Sequence, residues 1–143
     1  MNMSSSWILF AFGAAFFAAL TAVFGKLGVA DINSNLATFI RTVVILVMIA
    51  AIVAWRGEWQ IPATIPGRTW LFLILSGAAT GLSWLCFYRA LQLGNVSKVA
   101  PIDKLSVAFA ILLGAIFLGE KLTWPTIFGG GLIVLGSIVT IAF

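Results

Sequence analysis

The chain has 143 residues, of which 62% are hydrophobic and 8% charged, with a net charge of +4 and no histidine. That composition excludes a soluble domain and describes an integral membrane protein. The few, dispersed cations form no nucleic-acid-binding patch, and no metal-ligand spacing, cofactor motif or Gly-rich phosphate loop is present, which argues against an enzyme.

Five apolar stretches are expected to be helices, in chain order. The first covers residues 7–28 and is free of charge until Lys26. The residues before it carry no positive charge, and its length suits a retained span better than a cleaved signal. Asp31 to Asn35 ends it and offers Asn and Ser caps to the second stretch, residues 36–55, which Arg41 interrupts. A longer loop holds Arg56-Gly57-Glu58, Pro62 and Pro66-Gly67-Arg68. The third stretch, residues 70–93, carries Arg89 near its far end. Its single cysteine, Cys86, reads as a buried packing thiol. After Gly94-Asn95 comes the fourth, residues 97–118, with Asp103 and Lys104 early in it. These two are adjacent, hence about 100° apart on a helix, and are expected to face different ways. Beyond the Gly119 to Leu122 turn, Thr123 caps an uncharged fifth stretch, residues 123–143, that tolerates Pro125 in its first turn.

Each stretch is close to 20 residues, which at about 1.5 Å per residue matches a hydrocarbon layer of about 30 Å. Lipid cannot satisfy backbone groups, and the stretches do not alternate as barrel strands would, so an all-α bundle of five transmembrane helices is expected. Trp7, Trp55, Trp59, Trp70 and Trp124 fall at span ends, where an amphipathic ring suits the headgroup region, whereas Trp84 lies deep in the third stretch.

An odd number of spans puts the termini on opposite sides. Loop cations on the N-terminal side are Arg56, Arg68 and Lys121, against Lys26 and Lys98 on the other; adding Arg41, Arg89 and Lys104 reverses the majority. The positive-inside rule therefore selects no orientation, and insertion both ways is open.

Ionisable groups within spans are costly and mark function. Lys26, Arg41, Arg89, Asp103 and Lys104 all fall near the ends opposite the N-terminus, four cations against one anion for a net +3. Such a vestibule attracts a carboxylate. Arg89 and Asp103 are at similar depth and suited to pair. The competing reading has the cations reaching to lipid phosphates. Gly77, Gly81, Trp84 and Tyr88 share one face of the third stretch: the glycines permit close helix approach, and the rings either line a substrate cavity or fill a packing seam. Further small-residue seams are Ala14/Ala18/Ala22, Ser106/Ala110/Gly114, Gly129/Gly136 and Gly130/Ser137. The fifth stretch, without larger polar groups, reads as peripheral or dimer-forming.

The run from Gly81 to Thr123 resembles the EamA domain of the drug/metabolite transporter superfamily. The resemblance rests on Tyr88-Arg89-Ala90-Leu91, the Gly94 break, Val99-Ala100-Pro101, the Leu118-Gly119-Glu120-Lys121-Leu122-Thr123 turn and the glycine-rich last helix. Gly25-Lys26 and Arg41 are also familiar placements, so the resemblance extends over residues 1–143 as a single domain. It implies one half of an inverted-repeat transporter, with substrate held among the first four helices and Trp84, Tyr88, Arg89, Asp103 and Arg41 lining the path. A second copy inserted upside down would supply the other half, which makes an antiparallel homodimer in the cytoplasmic (inner) membrane the expected assembly. Small multidrug resistance proteins use a Glu in their first helix for proton exchange. None is present here, so Asp103 is the in-span carboxyl left to carry a proton. The expected function is secondary transport or facilitation of a small amino-acid-like or carboxylate-bearing metabolite. A non-transporting subunit paired with another short homologue and a lipid-handling role remain as alternatives.

Overall fold

The computed structural model describes residues 3–142, so Met1, Asn2 and the expected last residue of the fifth stretch, Phe143, lie outside the described residues. Regular structure among the described residues is helical: α1 (Met3–Gly28), α2 (Ser34–Arg56), α3 (Gly67–Leu93), α4 (Val96–Asp103), α5 (Leu105–Leu118) and α6 (Trp124–Ala142), with a 3-10 turn at Pro62–Thr64. Counting α4 and α5 as one span, five segments among the described residues are long and apolar enough to cross a membrane.

Local chemistry explains the ends. The Asn33 side chain accepts from the Asn35 N–H at 2.8 Å and so starts α2 two residues before its expected first residue. Gly57, at φ 65°, ends it in the left-handed conformation that lets Gly57 and Glu58 donate to the Ala54 and Val53 carbonyls. The Pro66 carbonyl accepts from Thr69 and Trp70, which starts α3 at Gly67. Gly119 ends α5 as Gly57 ends α2, at φ 68°.

The fourth stretch departs from the expected continuous helix. Pro101 lacks an N–H, and the chain tightens at Lys104, whose N–H lies 3.3 Å from the Ala100 carbonyl and 3.1 Å from that of Pro101. The break also overturns the expectation for its neighbours. With Lys104 at the joint, its long stem brings Nζ to 3.1 Å from Asp103 Oδ2, so the adjacent pair forms an ion pair.

Packing divides the chain into two units, Met1–Val23 with Leu93–Phe143, and Phe24–Gln92. In the first, α6 packs on α4 and α5. The Gly130/Ser137 seam makes this contact. Gly130 is buried, with Ile111 Cδ1 3.0 Å from where a Cβ would sit. Ser137, 3% exposed, places Oγ 2.7 Å from the Pro101 carbonyl and 2.8 Å from that of Ile133. The expected Gly129/Gly136 seam meets no neighbour, because it lies one residue, about 100°, round the helix. Ala22 and Gly114 are buried, while Ala14, Ala18, Ser106 and Ala110 are exposed.

In the second unit, Val29 and Leu91 are fully buried. Gly77 and Gly81 have open space beside them, so the expected close approach at that spacing is not made within the unit. Cys86 is exposed rather than buried: two residues beyond Trp84, it lies about 200° round α3 from that ring. Trp7, Trp55, Trp59, Trp70 and Trp124 are exposed, and Trp84 is the tryptophan that is partly shielded.

Candidate functional site

The second unit gathers its polar groups where the end of α1, the start of α2 and the end of α3 meet. Arg41 lies seven residues into α2, about 10 Å along the axis. Its guanidinium carbon stands 3.8 Å from the centroid of the Trp84 ring and 5.2 Å from that of Tyr88. Both rings come from one face of α3, because Trp84 and Tyr88 are four residues apart. A cation held over ring faces gains from their quadrupoles, and a planar guanidinium also stacks. Such stacking occupies the faces of the group and leaves its in-plane N–H edge for another acceptor. That edge is unsatisfied: Arg41 Nη1 is buried and has no hydrogen-bond partner among the described residues.

Tyr88 is held from behind. A Cβ on Gly25 would lie 3.2 Å from Tyr88 Oη and 3.3 Å from both Tyr88 Cζ and Leu91 Cδ1. Gly25 therefore lets α1 and α3 approach until the Tyr88 ring, 5% exposed, is clamped on one side and faces Arg41 on the other. Phe87 makes an edge contact with the same ring at 6.4 Å.

Beside this, a set of hydrogen bonds ties the ends of α1 and α3 together. Lys26 Nζ donates to the Leu91 carbonyl at 2.6 Å. Gln92 Nε2 donates to the carbonyls of Ile32 at 2.9 Å and Val29 at 3.3 Å. Its Oε1 accepts from Arg89 Nη1 at 2.6 Å. The last carbonyls of a helix lack internal partners, and Lys26 serves one of these in α3, whereas Gln92 serves carbonyls of the linker that follows α1. Lys26, weighed in the sequence as a lipid-reaching lysine, thus serves a carbonyl. Gln92 is not among the residues that the sequence marks as functional. Its signal was available as a polar side chain three residues after Arg89 in a terminal turn.

Of the residues expected to line the path, Arg41, Trp84 and Tyr88 come together in this unit. Arg89 and Asp103, suited in sequence to pair with one another, each have a local partner, Gln92 for Arg89 and Lys104 for Asp103. Asp103 belongs to the first unit, at the joint between α4 and α5, with its side chain 35% exposed. Among the described residues no cluster of His, Cys, Asp or Glu is suited to a metal ion.

The model of the EamA-like transporter family matches residues 5–142. A protein of Sinorhizobium sp. named as an uncharacterized transporter in the cobO 3' region is 57% identical over 141 residues, covering 99% of this chain and 100% of the relative. Human solute carrier family 35 member G1 is 35% identical over 128 residues, covering 89% of this chain and 34% of the human protein, so the chain spans about a third of that relative's length. An uncharacterized protein of Methanocaldococcus jannaschii is 34% identical over 68 residues, 48% of this chain and 50% of the relative. No solved structure matches the chain. With five helices of spanning length and a family match over nearly all its residues, the chain is a multi-pass integral membrane protein of the EamA-like transporter family.

Proposed function

We propose that the chain is a secondary transporter or facilitator of a small amino-acid-like or carboxylate-bearing metabolite. The observation that carries this reading is Arg41: a permanently charged group at a depth where ions are costly, stacked on Trp84 and Tyr88 with one buried N–H group unsatisfied. A purely structural arginine would be expected to have its donors satisfied, because a buried donor without a partner costs about 1–3 kcal/mol. A carboxylate from the substrate would satisfy that donor with a charge-assisted hydrogen bond.

Alternating access requires two halves, and we propose that a second copy inserted in the opposite orientation supplies the other. The undecided charge bias supports this, as does the Sinorhizobium relative, which the chain covers from end to end. The open Gly77/Gly81 face of α3 leaves a surface on which another helix can approach. The same bacterial relative supports a cytoplasmic (inner) membrane location. Asp103 is the proposed proton-carrying carboxyl, its charge held by Lys104 in this state.

Topology tests the assembly. A single cysteine placed beside each terminus in a Cys86→Ala background is labelled in intact cells with an impermeant thiol reagent. Labelling of about half the molecules at both ends is the expected result for equal dual insertion. Labelling at one end alone would rule out the antiparallel homodimer. Substrate binding is tested by Arg41→Gln in reconstituted vesicles, where uptake should fall while the protein remains folded.

A further inference from the structure

Resting on the carrier reading above, we infer that the substrate anchored by Arg41 is an organic carboxylate without an amino group, an oxo or hydroxy acid rather than a zwitterionic amino acid. An amino acid brings two charges, and a site that holds it must satisfy both. The carboxylate finds the guanidinium edge, where Nη1 is buried and unpartnered. The ammonium needs a carboxylate, a ring of free carbonyls or an open aromatic face; the helical segments of this unit hold no carboxylate, and the carbonyls and the ring face nearest the guanidinium are engaged.

Within the unit that holds Arg41, the acidic residues are Asp31 and Glu58, both in exposed turns outside the helices. Glu58 is moreover paired with Arg56 at 2.7 Å. Of the cations in the same unit, Lys26 and Arg89 fall at the same span ends as Arg41, so the surroundings repel a second positive charge. One face of Trp84 is covered by Arg41 at 3.8 Å, so that face offers no cation–π platform to an ammonium. The carbonyls of Leu91, Val29 and Ile32 already accept from Lys26 and Gln92. In the other unit, the in-span acid Asp103 is committed to Lys104, and Glu120 lies in the exposed turn after α5. A singly charged carboxylate, by contrast, neutralises Arg41 and leaves a complex with no net charge at the depth of the span, the arrangement least costly to bury.

Leucine and 4-methyl-2-oxopentanoate share a carbon skeleton and differ at the amino position, so they isolate the ammonium. Binding and uptake of each, radiolabelled, are measured with the full chain in vesicles of phosphatidylethanolamine and phosphatidylglycerol, against protein-free vesicles. The oxo acid is expected to bind saturably, and leucine at least about tenfold more weakly, as like charges a few ångströms apart in partly screened surroundings impose. Arg41→Gln should abolish saturable binding of the oxo acid, whereas Arg41→Lys, which keeps the charge and loses the planar fork, should retain part of it. Leucine binding as tight as the oxo acid or tighter, lost in Arg41→Gln, would overturn this inference and leave the carrier reading standing. Vesicles that accumulate neither leucine, leucinamide nor the oxo acid above the protein-free level would count against both. Unchanged oxo-acid binding in folded Arg41→Gln would reduce Arg41 to a helix staple. Displacement of the oxo acid by oleate and by no water-soluble acid would assign the carboxylate to a bilayer lipid and overturn the solute assignment.

Discussion

Replacing Gly25 with alanine puts a methyl group where α1 and α3 press together. The new carbon would lie 3.2 Å from Tyr88 Oη and 3.3 Å from Tyr88 Cζ and Leu91 Cδ1. Carbon pairs favour about 3.5–4.0 Å, so the neighbours must retreat by roughly 0.2–0.7 Å. Neither has room, since Tyr88 is 5% exposed and Leu91 0%. Overpacking of this kind costs about 1–3 kcal/mol, while alanine returns about 0.5–1 kcal/mol of backbone entropy relative to glycine inside a helix. The net is a loss of roughly 0–2.5 kcal/mol by those two terms. Gly13 and Gly131 are the internal references, because nothing lies within 4 Å of a Cβ at either. Alanine there should stabilise by about 0.5–1 kcal/mol. Reversible unfolding in mixed micelles of rising dodecyl sulfate fraction measures all three, and Gly25→Ala should fall below the references by the overpacking cost, about 1–3 kcal/mol. A Gly25→Ala variant as stable as Gly13→Ala would refute the clamp on Tyr88 and the pre-positioning of the Arg41 site that depends on it.

Gln92→Leu removes the donor to the Val29 and Ile32 carbonyls and should destabilise by about 1–3 kcal/mol in the same micelle assay, whereas the neighbouring exposed Leu93→Ala should change little. Ser137→Ala loses the hydroxyl bond to the Pro101 carbonyl and should cost about 0.5–1.5 kcal/mol; hydrogen exchange at Lys104 and Leu105 should show whether the joint between α4 and α5 responds. Asp103→Asn should abolish the pH dependence of uptake while retaining transport at a fixed pH if Asp103 carries the proton, and unchanged pH dependence would remove it from that role.

Much of the helical pattern was legible without coordinates. Apolar length announces a span because lipid offers no partner to a backbone group, and Asn33, Gly57 and Gly119 mark ends through local chemistry alone. Trp84 and Tyr88 share a face by spacing, and Arg41 stands out because an ion within a span is rare. Where local rules governed contacts between elements, they misled. Cys86, whose apolar setting in the sequence suits a packing thiol, lies on the exposed side of α3. Gly77 and Gly81 have the spacing of a seam, yet nothing packs on them within their unit. Asp103 and Lys104 pair at the tightened joint between α4 and α5, which a count of about 100° per residue does not register.

The chain by itself determined its membrane class, its spans and the residue types available near their ends, because hydropathy and capping act within a few residues of sequence. Only the tertiary structure decided which of those residues meet. Arg41 comes to stand over Trp84, and Lys26 and Gln92 reach carbonyls more than sixty residues away. Those choices depend on how far two helices approach and how they are rotated about their axes. At Gly25 the approach is set by the absence of a single Cβ, and its effect appears only when the side chain on the facing helix is in view.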